Sequence, residues 1–280
     1  MTTTQRLPLS VFIPVLNEED KIAAAIESVA WADEIVVIDT GCTDNTIPIA
    51  RGLGCRIESL VFEGFGKLRN DAVKLCTHDW VLSIDADERC TPELGREIQG
   101  VLAGAEQGEE AFDLYYIPRR NYFMGRHIRH CGWYPDYCQP KLFRKGALVY
   151  RDDMVHEGFD IHGRLGYLTS DVLHFSFRNL EQVIDKTNRY STLGMQKMLQ
   201  QGKTAGMGTA LMRGLWAFFR IYVLKLGFLD GWAGFVIALG NFEGTYYRYA
   251  KLALHLKQAD SGHTDGSQKD KGQDGAAPRV

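Results

Sequence analysis

Two carboxylates separated by a single residue, Asp85 and Asp87, follow the apolar run Trp80 to Ile84. A run of that length suits a buried strand, so the two acids emerge where the strand stops. In an open α/β sheet, ligands sit beyond the carboxyl ends of the strands. Two acidic side chains so close together repel each other unless a cation lies between them. Hard oxygen ligands at a partly open site suit Mg2+ or Mn2+, which also grip phosphate oxygens. The first expectation is therefore a metal–diphosphate site built on Asp85, Ala86 and Asp87.

The elements that must position these acids read as alternating strands and helices. Leu9 to Leu16 is a short apolar strand whose Pro14 fits only near a strand end. Asn17 can then cap a helix, with Asp20 three residues on and Ile22, Ile26, Val29 and Ala30 as its apolar stripe. Glu34 to Asp39 is a second strand, followed by the turn Gly41 to Thr46, where Asp44 or Thr43 can cap a helix through Ile49 and Ala50. Arg56 to Phe62 is a third strand and Arg69 to Cys76 a short helix. Repeated β–α units of this spacing predict a parallel sheet with helices on both faces. Pro14, Asn17, Glu18, Asp39, Asp85 and Asp87 then share one sheet edge, an acidic, amide-rich crevice able to take a nucleoside and, through a cation, its diphosphate. No Gly-x-Gly-x-x-Gly follows the first strand, so a glycine-loop phosphate site is not indicated.

Composition narrows the class. The apolar share is 45%, and 14 Phe, 12 Tyr and 5 Trp among 280 residues are ample for a packed core. A net charge of −3 supplies no basic field to recruit nucleic acid. The six cysteines are scattered without a Cys-x-x-Cys pair, and free thiols are the expectation. Met1 to Leu9 lacks a basic stretch followed by an apolar one, so a cytoplasmic-side protein is expected.

Four ordered motifs carry a resemblance: Pro14-x-x-Asn17-Glu18; Val36-Val37-Ile38-Asp39 with Gly41 to Thr46; Arg69-Asn70; and Asp85-Ala86-Asp87-Glu88. Together they resemble family 2 glycosyltransferases of the GT-A fold, over roughly residues 9 to 160. That resemblance implies an α/β nucleotide-diphospho-sugar transferase fold, with a mixed, mainly parallel sheet between helices. It implies that the Pro14 loop and Asp39 bind the nucleoside, that Asp87 binds the metal, and that Asp85 faces the ribose or diphosphate. Cys42 stands where the family commonly has Ser, and Thr40 where Asp or Gly is usual.

Further on, Tyr115 to Pro118 reads as a strand followed by a polar loop at Arg119, Arg120 and Asn121. Gly132-Trp-Tyr-Pro-Asp136, Pro140-Lys-Leu-Phe-Arg144 and Met154-Val-His156-Glu157 are similar to segments of the lipopolysaccharide inner-core β-glucosyltransferases. The resemblance implies inverting transfer of a hexose, as from UDP-hexose, to the lipopolysaccharide core or a related lipid-linked saccharide. Such transfer needs a carboxylate base. Glu157 and Asp136 are the candidates, with Glu157 favoured because His156 can orient it. Arg119, Arg120, Arg126, Arg129 and Arg144 make a local basic excess suited to acceptor phosphates.

From Gly206 to Lys257 the chain is rich in aromatics with Arg and Lys among them, but no apolar stretch reaches the ~20 residues needed to span a bilayer. A pair of helices lying in the membrane interface is expected, peripheral on the inner face of the cell inner membrane; a hairpin packed on protein is the alternative. The expected division is residues 1–180 catalytic, 181–257 helical and 258–280 disordered. Two rival functions remain. A sugar-nucleotide nucleotidyltransferase would need a Gly-rich, Lys-containing loop after the first strand. A non-catalytic membrane adaptor would not need Asp85, Asp87 and Glu157.

Overall fold

The computed structural model describes residues 8–108, 112–137, 140–151 and 158–265. The chain forms two compact units, Met1–Arg178 and Asn179–Val280. In the first unit the strands are β1 (Leu9–Val15), β2 (Glu34–Asp39), β3 (Arg56–Ser59), β4 (Trp80–Ser83), β5 (Glu88–Cys90), β6 (Leu114–Tyr116) and β7 (Arg119–Phe123). They continue as β8 (Arg126–His127), β9 (Pro140–Arg144), β10 (Leu148–Tyr150), β11 (Phe159–Ile161), β12 (Leu165–Tyr167) and β13 (Val172–Phe177). The helices of this unit are α1 (Ile22–Ser28), α2 (Thr46–Gly52), α3 (Phe65–Leu75) and α4 (Pro92–Glu106).

The main sheet runs β12-β6-β9-β4-β1-β2-β3. β3, β2, β1 and β4 are mutually parallel, whereas β9 lies antiparallel between β4 and β6. This is the expected mixed, mainly parallel sheet. Alternation along β1 sends Val11 and Ile13 to one face, with Ile22 and Ile26 of α1 and Leu94, Ile98 and Leu102 of α4. Phe12 goes to the other face with Val36, Ile38 and the Leu68–Ala72 side of α3. Each of these apolar side chains gains about 1.5–3 kcal/mol on full burial, enough together to hold the central strands at fixed height. Pro14 sits in β1 opposite Ile38. The Phe12 carbonyl accepts from Ile84 and the Val15 carbonyl from Thr40, so by alternation Pro14 faces the side where β4 has already stopped and loses no ladder bond.

A second sheet, β5-β13-β7-β8, begins directly after the Asp85–Asp87 step. Arg119 to Asn121, expected as a loop, belongs to its strand β7, because the parallel pairing with Val172 to His174 satisfies the backbone there. Two further expectations change at their ends. α3 starts at Phe65, four residues ahead of Arg69, while β3 stops at Ser59, short of Phe62. Asn17 does not cap α1: it adopts a left-handed backbone with φ 55°, which Asn tolerates better than most residues. The cap position is Lys21, with no side-chain cap. Likewise α2 begins after Asn45, and Asp44 Oδ1 accepts from the Thr46 amide at 3.0 Å.

The second unit comprises α5 (Leu180–Gln200), α6 (Met207–Phe219) and α7 (Gly231–Asp265), with a π turn at Arg220–Leu224 and a 3-10 turn at Gly227–Asp230 between α6 and α7. Asn179 caps α5 by accepting from the Gln182 amide at 3.0 Å. α7 continues past 257 to Asp265, with no proline to stop it; residues 266–280 of the expected tail lie outside the described residues. The turn into α7 is tight: a Cβ at Gly234 would meet the Gly227 carbonyl oxygen at 1.8 Å. Lys251 of α7 reaches α5 through Asn188, Ser191 and Thr192 at 2.8–3.1 Å.

Candidate active site

The carboxyl ends of β1, β2 and β4 gather the expected residues along one edge. The loops after β1 and β2 are stitched to each other. Asn17 Oδ1 accepts from the Thr43 amide at 2.8 Å, the Glu18 amide donates to Thr46 Oγ1 at 2.7 Å, and Asn45 donates to Glu19 at 2.9 Å. Asp39 closes the β2 turn by accepting from the Cys42 and Gly41 amides at 2.8 and 3.0 Å through Oδ1. Burial opposes its ionisation, but those two amide bonds outweigh it and hold the carboxyl below the usual range. Its other oxygen, Oδ2, accepts neither amide. Cys42 Sγ, at the departure from Ser, still accepts from the Asn17 amide at 3.4 Å.

Asp85 is engaged by the protein's own cations. Arg69 donates to its Oδ1 at 2.8 Å and to Ser83 Oγ at 2.9 Å, and is buried. Lys141 Nζ lies 3.6 Å from Asp85 Oδ2 and 2.6 Å from Glu88 Oε2, and Lys141 and Glu88 are both within 1% of complete burial. Burial favours the protonated acid, but the Arg69 and Lys141 charges outweigh it and drive the Asp85 carboxyl strongly downward. Repulsion between Asp85 and Asp87 therefore does not by itself demand a metal, since Arg69 and Lys141 already supply positive charge. Asn70, next to Arg69, spends its amide on the backbone of Tyr150, donating at 2.7 Å and accepting at 3.0 Å. The Ala86 carbonyl accepts from Arg89 at 2.8 Å.

Asp87 faces His174 of β13, with Nε2 3.5 Å from its Oδ2. Burial favours its protonated form, but His174 beside it outweighs that and holds the carboxyl below the usual range. His174 Nδ1 meets Asn121 Oδ1 at 2.6 Å, and Asn121 Nδ2 donates to Asp136 Oδ2 at 3.2 Å. Arg119 then closes on the same oxygen at 2.6 and 3.0 Å. Asp136 is thus tied into a polar chain running to Asp87. Of the five arginines read as a basic excess, Arg119 pairs with Asp136, Arg120 with Asp171 and Arg144 with Asp79, so much of that excess is neutralised. His156 and Glu157 lie outside the described residues, as do Met154, Val155 and Cys138. Cys42, Cys55, Cys76 and Cys90 are free thiols.

Sequence reasoning missed Lys141 and His174. The one available signal is a lone charged or polar residue inside an otherwise apolar strand, Pro140-Lys-Leu-Phe and Val172-Leu-His-Phe. Among the described residues no group of three or more His, Cys, Asp and Glu converges on one point. A Mg2+ or Mn2+ site usually uses one or two carboxylates and completes its shell with substrate phosphates and water. Asp87, at the sheet edge and without an Arg or Lys ion-pair partner among the described residues, fits that requirement.

These features accord with comparison to known proteins. Residues 10–167 match the model for glycosyl transferase family 2, and the chain belongs to that family. It is a glycosyltransferase with a GT-A-like α/β fold and a C-terminal helical extension. The lipopolysaccharide core biosynthesis glycosyltransferase LpsC of Rhizobium meliloti is 29% identical over 89% of this chain and 95% of its own. An uncharacterized glycosyltransferase of Rickettsia felis is 28% identical over 89% and 90%. The glucosyl-3-phosphoglycerate synthase of Mycobacterium tuberculosis, solved with Mn2+ and UDP, aligns at 27% identity and a TM-score of 0.33, covering 42% of this chain and 45% of that one. At that score the likeness is too partial to carry a conclusion.

Asp39→Ala is expected to weaken nucleotide-sugar binding roughly ten- to hundredfold, the effect of losing one charge-assisted hydrogen bond of about 1.5–3 kcal/mol. Because the carboxylate also holds two turn amides, the variant should melt somewhat lower as well. Unchanged affinity in a calorimetric titration would reduce Asp39 to a turn-former.

Proposed function

We propose that this glycosyltransferase moves a hexose, glucose by resemblance, from a nucleotide sugar such as UDP-hexose to a saccharide of the lipopolysaccharide core, with inversion at the anomeric carbon. The observation that carries this reading is the Asp85–Asp87 step at the end of β4, on the same sheet edge as Asp39. Similarity to LpsC supports the acceptor class. Asp39 and the Asn17–Glu18 loop take the nucleoside, and the Arg69–Lys141 pair fixes Asp85 beside it. Asp87 holds the divalent cation, Mg2+ or Mn2+, which when bound offsets charge on the departing diphosphate. Glu157, oriented by His156, takes the acceptor hydroxyl proton. Asp136 is poorly suited to that task, because Arg119 and Asn121 already occupy its Oδ2.

The test is incubation with a panel of radiolabelled nucleotide sugars and core-truncated lipopolysaccharide, with NMR of the product linkage. Transfer from one donor giving an inverted linkage is expected. Release of pyrophosphate from sugar phosphate and nucleoside triphosphate would favour the nucleotidyltransferase instead, and no turnover with any donor would favour the adaptor.

We propose further that the second unit binds the inner face of the cell inner membrane. No single described helix is long and apolar enough to cross a membrane, but Met207–Leu224 and Gly227–Gln258, bent by 70°, pass that test as a pair. α6 buries its small residues Ala210, Gly214 and Ala217 and exposes Leu211, Met212, Leu215, Trp216 and Phe219. Small residues inside and large apolar ones outside is the pattern of helices that pack within lipid. The π turn and 3-10 turn add exposed Leu224, Phe228 and Leu229, with Trp232 at the start of α7. Each half-exposed side chain gains about 1 kcal/mol on transfer, half the value of full burial. Changing Leu224, Phe228 and Trp232 together to Ser should therefore weaken vesicle binding roughly a hundredfold. Flotation of the full chain and of that variant with anionic vesicles makes the comparison. Equal flotation of the two, or none for either, defeats the membrane reading.

A further inference from the structure

β9 is antiparallel to both β4 and β6, and β6 is parallel to β12, so β4, β6 and β12 run in the same direction. Their carboxyl ends therefore lie on the edge that carries Asp85 and Asp87. Register fixes the height. Leu142 lies opposite Leu82, which sets Pro140 level with Ile84, and Tyr116 pairs with both Pro140 and Tyr167. The two tyrosines thus stand at the level of the residue just before Asp85, about 10 and 14 Å along the sheet from it at ~4.8 Å per strand. Leu114 and Leu165, two residues before each tyrosine, pack in the core beneath α3. By alternation both tyrosines are on the α3 face, the face from which Arg69 holds Asp85.

Four rings gather there. Tyr167 stacks on Tyr116 with centroids 5.4 Å apart and planes 14° apart, and Tyr137 stands almost upright to Tyr167 at 5.6 Å and 83°. Phe159, two positions after Glu157 in the chain, meets Tyr116 at 6.5 Å. Tyr167 lies on the outermost strand and is 60% exposed, and Tyr137 is 39% exposed. Rings so open contribute little to the core, so core packing does not account for them. Two rings at right angles make a floor and a wall. A pyranose suits such a corner, because it can lay its apolar C–H face on a ring while its hydroxyls stay at the rim with water and the tyrosine hydroxyls. The nucleoside belongs on the opposite side of Asp85, where Asp39 and the Asn17 loop end β2 and β1.

We propose that Tyr167 and Tyr137, backed by Tyr116 and Phe159, form a subsite for a pyranose of the acceptor saccharide, beyond the sugar whose hydroxyl reacts. The inference rests on the saccharide acceptor of the proposed function and says where that saccharide lies. The distance from Asp85 is the reach of a short saccharide rather than of a single sugar. The enzyme therefore reads a residue of the acceptor that it does not itself extend.

The test measures steady-state transfer by the full chain from a nucleotide sugar to core-truncated lipopolysaccharide stripped of its fatty acyl chains, so that lipid contacts do not contribute. Tyr167→Ala is expected to raise the KM for this acceptor roughly tenfold, the worth of one aromatic stack, without a matching rise in the KM for the nucleotide sugar. Tyr167→Leu, apolar but without a flat face, should behave like Tyr167→Ala, whereas Tyr167→Phe should restore the low acceptor KM. Saturation-transfer NMR with the same saccharide and no donor reads contact directly: the signal should be strongest at the ring C–H protons of one sugar and fall in Tyr167→Ala. Thermal melts of the variants read folding separately. An unchanged acceptor KM in Tyr167→Ala overturns the inference, and so does an equal rise in both KM values, which marks a general distortion of the sheet edge. A low acceptor KM in Tyr167→Leu overturns it too, since no flat ring is then needed. Absence of transfer to any saccharide by the unaltered protein overturns the proposed function together with the inference.

Discussion

Asp87→Asn is expected to lower sugar transfer by about a thousandfold or more while the protein stays folded. A bound cation contributes several kcal/mol of charge stabilisation, and about 4 kcal/mol corresponds to three orders of magnitude in rate. Asp87 is the acid to change because Asp85 already has Arg69 and Lys141, whereas Asp87 faces His174 at 3.5 Å and pairs with no Arg or Lys among the described residues. Folding should survive for a specific reason. The Asp87 side chain keeps 27% of its exposure, and its contribution to the second sheet is the backbone carbonyl that accepts from Phe175 at 2.9 Å. Asn preserves both shape and carbonyl. Initial rates and a thermal melt on the same preparations check the two halves. Chelator should have the same effect on the unaltered protein; full turnover in its presence would remove the metal from the reaction.

The second large effect is on stability. Lys141→Met should destabilise the first unit by about 3–5 kcal/mol, the typical cost of leaving one member of a buried ion pair without its partner. Glu88 has no exposure, and its Oε2 accepts from both Lys141 and the Asp85 amide, at 2.6 and 3.0 Å. Met fills much of the lysine stem's volume, so the loss is electrostatic rather than a cavity. Adding Glu88→Leu should recover a large part of the stability, because replacing both members by apolar groups is often neutral or better. The same double variant should remain poor in transfer, since Asp85 loses one of its two cations and a hydrogen bond to its backbone. Denaturant unfolding of the single and double variants is the measurement. A cost under about 1 kcal/mol for Lys141→Met would mean that water reaches the pair and that surface values apply.

The elements that lift the site were legible in the chain itself. Trp80 to Ile84 and Glu34 to Ile38 are short apolar runs ended by acids, and the period of apolar residues is a local property. A strand that must be buried on both faces declares itself in its own side chains, and the acids that follow it fall at its end by covalent continuity. Asp39, Asp85 and Asp87 could therefore be placed on one edge before any packing was known. The small-inside, large-outside pattern of α6 also begins in sequence, as a run rich in aromatics and leucines.

What surrounds those acids was not local. Lys141 reaches Glu88 across 53 positions, and His174 reaches Asn121 across another 53. His174 lies in no motif, Lys141 only inside the Pro140–Arg144 segment, and a single polar residue in an apolar strand does not say which buried partner will neutralise it. That choice depends on strand order. β9 enters antiparallel beside β4 with Leu142 opposite Leu82, which sets Lys141 one step nearer the acids. Register in the second sheet sets His174 beside both Asn121 and Glu88. Arg119 and Asn121 look like loop residues until β13 pairs with them, and Asn17 looks like a cap until Thr43 holds it in a left-handed turn. The sequence by itself determined where carboxylates leave the sheet, because that follows from neighbours along the chain. Only the tertiary structure decided which cations and hydrogen bonds meet them, because burial of a charge is settled by whatever partner the register brings within reach.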